Sequence, residues 1–117
     1  MKEKYERIIN TTYDAFNARD IDTVLSFMHR DVHWPNGWEG GYVQGHSEVR
    51  NYWIRQWKEL NPTVKPVSVT ENENGQIVVQ VSKEVKDMQG NVLYNGIVKH
   101  VYVIENGFIK SMEIEKL

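Results

Sequence analysis

The segment "KHVYVI", residues 99–104, contains the histidine best placed for acid–base chemistry. Side chains alternate between the two faces of a strand, so Val98, His100, Tyr102 and Ile104 would share one face. The unperturbed pKa of histidine is about 6.5, so a histidine that faces an apolar pocket is a candidate to donate or shuttle a proton near neutral pH. His100 is therefore the candidate catalytic residue. The alternative is a core histidine with one ring nitrogen bonded to a neighbour.

The opposite register of this segment is a second alternative. It would place Lys99, Val101 and Val103 on the inner face instead. An inward lysine buries a charge at considerable cost, and the more aromatic face suits a pocket better. Both arguments favour an inward His100.

Two further histidines, His29 and His33, have the i, i+4 spacing of a metal-binding pair. That spacing brings two side chains onto one face only within a continuous helix, and the predicted helix ends between them at Arg30–Asp31. A third ligand has no convincing place. The sequence also contains no phosphate loop or cofactor fingerprint, so we expect neither a metal nor a cofactor.

A glycine-rich stretch, "WPNGWEGGYVQGH" at residues 34–46, places two tryptophans where the backbone is least regular. Glycines let the chain turn sharply and approach a ligand. Trp34 and Trp38 are therefore candidate ligand-binding residues, or else they plug the open end of an incomplete core. Asn36 is a candidate hydrogen-bond partner for a ligand carbonyl, or a turn residue in "PNG".

The elements that position these residues begin with helices. Apolar residues between Tyr5 and Phe16 recur at spacings of three and four, which predicts a helix that ends near Ala18. Asp20 predicts the N-cap of a second helix with apolar residues as far as Met28. The short strand "DVHW" follows, and Ser47 predicts the cap of a third helix that "NPTVKP" ends.

The hydrophobic period changes to two after Pro66. Apolar residues occupy alternate positions from Ile77 to Val81 and again at Val85, the pattern of a strand buried on one face. Turn sequences separate four predicted antiparallel strands, "KPVSVTE", "QIVVQVSKEVK", "VLYNGIVKHVYVI" and "FIKSMEIEK". Helices first and a sheet afterwards predict one α+β domain over residues 1–117, with the helices on one face of the sheet.

Composition excludes several classes of protein. The net charge of -2 and the pI near 6.1 argue against a nucleic-acid partner, because phosphate binding requires a basic field. The absence of cysteine is typical of a reducing cytoplasm. No apolar run approaches the ~20 residues of a membrane span, and "MKEKYERII" is charged where a signal peptide is apolar. We therefore expect a soluble, cytoplasmic protein.

Three segments, "YDAFNARDIDTVLSFMHRDVHW", "GHSEVRNYW" and "KHVYVIENGFIKSM", resemble the nuclear transport factor 2-like superfamily in their order and spacing. This superfamily includes ketosteroid isomerase and the SnoaL-like polyketide cyclases, and the resemblance covers nearly the whole chain. It implies a cystatin-like cone, in which three N-terminal helices pack in a curved antiparallel sheet around a pocket for a small apolar molecule. It also implies a homodimer through the outer face of the sheet, which carries Val78.

Residue by residue, the resemblance carries over little of the isomerase chemistry. Ketosteroid isomerase uses an Asp base with a Tyr and a protonated Asp as donors, and the matching positions here hold Asn36, Thr12 and His100. An amide cannot take a proton near neutral pH, so the steroid isomerase mechanism is not expected. The third helix forms a pocket wall in the family, which adds Trp53. The expected ligand-binding residues around His100 are Thr12, Phe16, Trp34, Asn36, Trp38, Trp53, Tyr102 and Met112.

Three functions are compatible with these features. The first is an enzyme that acts by acid–base chemistry on a hydrophobic carbonyl compound, as an isomerase, cyclase or hydrolase. The second is a module that binds an apolar ligand without turnover, and the third is a protein-interaction scaffold. The clustering of aromatic residues in the segments of the expected pocket favours the first two.

Overall fold

The computed structural model describes the backbone of residues 2–116 and the side chains of residues 5–115. Helices and strands follow the predicted order, with helices first and strands afterwards. The elements are α1 (Lys2–Asn17), α2 (Ile21–Ser26), β1 (Met28–Pro35), β2 (Tyr42–Gln44), α3 (Gly45–Glu59), β3 (Leu60–Glu71), β4 (Ile77–Asp87), β5 (Val92–Glu105) and β6 (Phe108–Lys116). No helix in this part of the chain is both long and apolar enough to cross a membrane.

One curled sheet of six strands, in the order β2-β1-β6-β5-β4-β3, supports the three helices. Strands β3 to β6 form the predicted antiparallel meander. Strand β1, however, pairs with β6 in parallel, so the sheet is not wholly antiparallel as predicted. The two strands enter the sheet at the same end, where the backbone N–H of Ile109 donates to the carbonyl of Phe27 (2.8 Å). The α+β class and the cone of helices in a curled sheet are confirmed.

The structure corrects three predicted boundaries in the first half of the chain. Met28 begins β1 instead of ending α2, which stops at Ser26. The short strand β2 lies inside the stretch that was predicted as a loop, and it pairs with β1. Helix α3 starts at Gly45, ahead of Ser47, and the side chain of its N-cap residue Gln44 makes no capping bond. The Glu48 carboxylate accepts a hydrogen bond from the N–H of Gln44 (2.8 Å). The predicted cap at Asp20 is confirmed.

Helix α3 ends at Glu59, directly before "NPTVKP", as predicted, but this segment is itself strand, because β3 begins at Leu60 and not at Lys65. Pro62 and Pro66 have no backbone N–H. In a central strand, every N–H donates to one or the other of the two neighbouring strands, so a proline there leaves a hydrogen bond unmade. They fit here because β3 is the edge strand and pairs with β4 alone.

The core fills the space between the helices and the inner face of the sheet. Ile9 from α1, Val49 from α3 and Val79 from β4 are fully buried there. The register pairs Val79 with His100 and Ile77 with Tyr102. His100 and Tyr102 therefore project toward the helices.

Candidate functional site

A cavity of about 780 Å³ opens between the helices and the inner face of the sheet. Its walls are mostly aliphatic and aromatic, which is typical of sites for small organic molecules. Each of the predicted site residues except Asn36 lines it, and they come from α1, β1, α3, β5 and β6 and the loop after β1. These residues are Thr12, Phe16, Trp34, Trp38, Trp53, His100, Tyr102 and Met112.

The register of β5 decides between the two orientations of the "KHVYVI" segment. His100 is 6% exposed and lines the cavity. Lys99 pairs with Gln80 and Glu115 in the register, and its ammonium lies 3.7 Å from the Glu115 carboxylate. The structure therefore places His100 inside and Lys99 outside, as the cost of burying a lysine suggests.

A chain of hydrogen bonds runs from Tyr102 through Tyr13 to His100. The Tyr102 hydroxyl donates to the Tyr13 oxygen (2.7 Å), and the Tyr13 oxygen lies 2.7 Å from Nδ1 of His100. With the Tyr102 hydrogen directed to Tyr13, we assign the Tyr13 hydrogen to Nδ1, because this arrangement leaves neither hydroxyl hydrogen of the chain unpaired. Nδ1 is then an acceptor, and the neutral imidazole carries its hydrogen on Nε2.

Nε2 of His100 has no hydrogen-bond partner among the described residues, although it is buried. Burial, and secondarily the positive charge of Lys83, lowers the pKa of His100 to about 3. His100 is therefore neutral near pH 7. This changes the expected chemistry, because a neutral imidazole donates a hydrogen bond from Nε2 but does not serve as an imidazolium acid.

The hydroxyl of Thr12 is a second polar group in the cavity wall that lacks a partner in the described part of the chain. Thr12 is 3% exposed. Buried polar atoms in folded proteins are almost always hydrogen-bonded, so each exception needs an explanation. In a cavity wall, the simplest explanation is a ligand or water that supplies the missing partner.

Aromatic rings form the apolar part of the wall. Trp34 packs edge-on against Trp53 (5.8 Å between centroids) and tilts toward Tyr102 (6.3 Å). Phe16 contacts Trp53 edge-on at 5.3 Å. Trp34 thus both lines the cavity and belongs to the core, whereas Trp38 lies at the rim and is 38% exposed. Lining a pocket and completing the core, the two alternatives given for the tryptophans, are therefore compatible in Trp34.

Asn36 is the predicted site residue that the structure does not bring to the cavity. Its Oδ1 accepts from the N–H of Glu39 (2.7 Å) and of Trp38 (3.2 Å), and its Nδ2 donates to the Glu39 carboxylate (2.8 Å). Arg55 from α3 donates to the same carboxylate (2.8 Å). The loop itself uses the polar atoms of Asn36, so the turn interpretation of "PNG" describes this residue.

Among the cavity-wall residues that the sequence analysis did not predict, Tyr13 and Lys83 act on His100. Tyr13 is four positions from Ile9 on the apolar face of α1, a spacing that could have marked it. Lys83 occupies the inward position between Val81 and Val85, where the alternating apolar pattern of β4 is interrupted. That interruption is the signal that could have identified it.

The histidines with metal-like spacing do not form a metal site. His29 and His33 both lie on β1, an extended strand, on which four residues span about 13 Å. The His29 Nδ1 accepts from the N–H of Asp31, and His33 stacks on Tyr42. Across the described residues, no group of three His, Asp or Glu side chains is arranged to hold a metal ion.

The sequence profile of the SnoaL-like domain matches residues 9–112, which include every predicted site residue. The chain belongs to the SnoaL-like domain family. This confirms the resemblance to the nuclear transport factor 2-like superfamily. No curated protein matches the sequence at a significant level.

Solved structures similar to this SnoaL-like domain cover almost all of it. TerC, co-crystallised with polyporic acid, is 26% identical with a TM-score of 0.83, over 97% of this chain and 92% of TerC. A nuclear transport factor 2-like protein of unknown function from Burkholderia pseudomallei is 24% identical with a TM-score of 0.82, over 97% and 91%. A candidate polyketide cyclase from Xanthomonas campestris is 18% identical with a TM-score of 0.82, over 97% and 90%.

Proposed function

We propose that this SnoaL-like domain binds a hydrophobic carbonyl compound in its cavity and acts on it by acid–base chemistry, as an isomerase or cyclase does. His100 would donate a hydrogen bond from Nε2 to the carbonyl oxygen. The aromatic wall around Trp34 and Trp53 would hold the apolar body of the compound. The observation that carries the proposal is the buried Nε2 of His100 in the cavity wall, which has no hydrogen-bond partner within residues 5–115.

A neutral donor suits this chemistry. When a base, here water or hydroxide from solvent, removes a proton from the carbon next to a carbonyl, the electron pair of the C–H bond moves into the enolate and negative charge develops on the carbonyl oxygen. A fixed donor in a largely apolar site stabilises that charge strongly. The bond from Tyr13 to Nδ1 holds the His100 ring in the tautomer that keeps the hydrogen on Nε2. Tyr13 thus orients the donor without contacting the ligand carbonyl itself.

The family adds support at the level of ligand size and type. TerC, which resembles this chain over almost its full length, was co-crystallised with the small organic compound polyporic acid. A cavity of about 780 Å³ is within the range of small-molecule sites. The aromatic lining of the cavity favours a ligand with rings.

The first test is binding of 2-acetonaphthone, an aromatic methyl ketone that we choose as a probe. Trp34 and Trp38 should change water contact when the ketone enters, so tryptophan emission should shift and saturate. His100→Phe keeps the ring volume and removes the donor. We expect this variant to retain the emission change, because apolar packing contributes most of the affinity.

The second test measures catalysis directly. In D₂O, an acid–base enzyme should accelerate exchange of the methyl protons of 2-acetonaphthone, which lie next to the carbonyl and leave as protons to solvent. NMR follows the loss of the methyl signal. We expect His100→Phe to lower the rate about 10²–10³-fold, the usual effect of removing one donor to a developing oxyanion.

The outcomes separate the three functions. Emission change with exchange that depends on His100 supports the enzyme. Emission change without exchange in the wild type would indicate a binding module, and the absence of both would favour an interaction scaffold. A similar exchange rate in the wild type and in His100→Phe would contradict the role assigned to Nε2.

We also propose a homodimer through the outer face of the sheet. This face carries Val78, Ile97, Val101 and Val103 on neighbouring strands, and Ile97 is 41% exposed. Burying the exposed side chains of this face, Ile97 above all, against a second copy would remove apolar surface from water, whereas Val101 is already buried. Light scattering at micromolar concentration should give twice the 13.8 kDa chain mass, whereas a monomer mass would contradict this assembly.

A further inference from the structure

Lys83 projects from the inner face of β4 into the cavity. In the register it lies opposite Val64 of β3 and Gly96 of β5, two positions along the strand from the buried Val81. The side chain is partly buried and contributes to the cavity wall together with His100. Its charge is close enough to His100 to help lower the pKa of the imidazole.

No acidic side chain within residues 5–115 pairs with Lys83. The ion pairs in this part of the chain join acids to other bases, such as Glu39 to Arg55 and Glu115 to Lys99. Glu113 also borders the cavity, but it lies opposite Val101, on the alternate face from His100, and accepts a hydrogen bond from the Tyr42 hydroxyl (2.6 Å). Burial lowers the pKa of Lys83, as expected for an ammonium group removed from water without a counter-charge.

The cavity therefore presents donors and a positive charge. Nε2–H of His100 has no acceptor among the described residues, and none of the ion pairs in that part of the chain includes Lys83. Lys83 is partly buried, so its charge is partly removed from water, and a bound anion offsets some of that cost. Charge pairing is also stronger in such a cavity than in bulk water.

We propose that the natural ligand is a hydrophobic organic acid, a carboxylate, enolate or phenolate, whose negative charge is neutralised by the Lys83 ammonium. The inference rests on the proposed function, because it assumes that this cavity binds a carbonyl compound, and it adds the charge of that compound. The aromatic wall holds the body of the acid, and His100 donates to one of its oxygens.

The test compares two probes of nearly the same shape, 2-naphthoate and 2-acetonaphthone. A carboxylate in the first replaces the acetyl group of the second, so the apolar contacts are the same and the charge differs. Isothermal titration calorimetry near pH 7 gives both affinities. We expect the wild type to bind 2-naphthoate about tenfold to a hundredfold more tightly than the ketone, the range expected for a charged hydrogen bond.

Lys83→Met removes the charge and keeps the aliphatic stem. It should abolish the preference for 2-naphthoate and leave 2-acetonaphthone binding within about twofold, since packing is unchanged. Lys83→Arg retains the charge and should retain the preference. Lys99→Met is the matched control, because it removes the same charge from the neighbouring strand on the outer face; its preference should equal that of the wild type.

Each result bears on the inference. A preference for 2-naphthoate that is lost in Lys83→Met and kept in Lys99→Met supports it. Equal affinities for the two probes in the wild type, or a preference for 2-naphthoate that survives Lys83→Met, would overturn the inference that the ligand is an acid. Either result would leave the proposed carbonyl function in place. If neither probe binds the wild type, both the inference and the proposed function fail.

Discussion

The glycine-rich loop after β1 and the tyrosine–histidine chain across the cavity each contain a polar side chain that is 6% exposed. In the loop, Asn36 bonds to the backbone and to Glu39, so both of its polar atoms have partners. In the chain, His100 bonds through Nδ1 alone, and Nε2 is without a partner in the described residues. Asn36 and His100 are therefore equally buried but differ in how many of their polar atoms are bonded. A fully bonded buried group stabilises the fold, whereas a half-bonded group in a cavity wall is available to a ligand.

The strongest way to test this comparison is to follow stability with pH. The folded-state pKa of His100 is about 3 and the unfolded value is about 6.5. Between these values the unfolded chain binds a proton that the folded protein does not, so stability falls as pH decreases through this window and is fully present above it. We expect a loss on the order of a few kcal/mol, measured by urea unfolding at several pH values.

The variant His100→Phe isolates this effect. Hydrogen bonds from Thr23 lower the pKa of Asp20. Protonation of such carboxyl groups at acidic pH lowers the stability of the wild type and of the variant alike. The difference between wild type and variant therefore reports His100. His33→Asn, at an exposed position, should keep the wild-type profile. Parallel profiles for the wild type and His100→Phe would mean that burial does not hold His100 neutral.

The second test removes the side chain of Asn36, the residue of the comparison whose polar atoms all have partners. Asn36→Ala leaves the N–H groups of Trp38 and Glu39 without their acceptor in a partly buried turn. We expect the free energy of unfolding to fall by about 1–3 kcal/mol, the usual cost of leaving buried donors unpaired. Chemical denaturation at pH 7 measures it. Asn51→Ala, at an exposed position of α3, should change stability by less than about 0.5 kcal/mol, and an equal loss there would remove the distinction.

The third test concerns the link between Tyr13 and His100. Tyr13→Phe removes the donor to Nδ1 and the acceptor of the Tyr102 hydroxyl, and leaving these buried groups unpaired should cost about 1–3 kcal/mol. Its more specific signature is the tautomer, which ¹⁵N NMR of the imidazole reports. The wild type should show the tautomer with the hydrogen on Nε2 and none on Nδ1, and Tyr13→Phe should show a mixture of the two neutral tautomers. Tyr94→Phe at the cavity rim is the control, and a bare Nε2 in the wild type would reverse the assigned direction of the chain.

Local patterns in the sequence predicted much of the fold. The helical spacing of α1, the Asp20 cap and the period-two strands each depend on residues close in sequence, and the structure agrees with them. The parallel pairing of β1 with β6 depends on contacts between distant segments, so no local pattern indicates it. The predicted start of β3 at Lys65 was too late for a related reason, because a strand tolerates Pro62 only at an edge, and the edge position of β3 depends on pairing between distant segments.

The candidate site was partly predictable for similar reasons. Alternation and the cost of a buried lysine correctly placed His100 inside. No prediction was made for Lys83, whose flexible stem lets the ammonium lie in a cavity. The partners of Asn36 are set by the loop backbone, which the sequence does not specify. The neutral state of His100 depends on packing by α1, and an ordinary pKa could not indicate it.

The two prolines of β3 also bear on how the protein avoids aggregation. An edge strand of twelve residues presents a row of free N–H and C=O groups that a strand from another chain could extend. Pro62 and Pro66 remove two of those donors, the exposed Lys65 between them adds a charge, and the register shifts between Pro66 and Ser68. A fibril-like ladder could not continue along this edge without leaving carbonyl groups unpaired. The homodimer proposed above uses the outer face of the sheet instead of this edge, and on a face side chains rather than backbone groups select the partner.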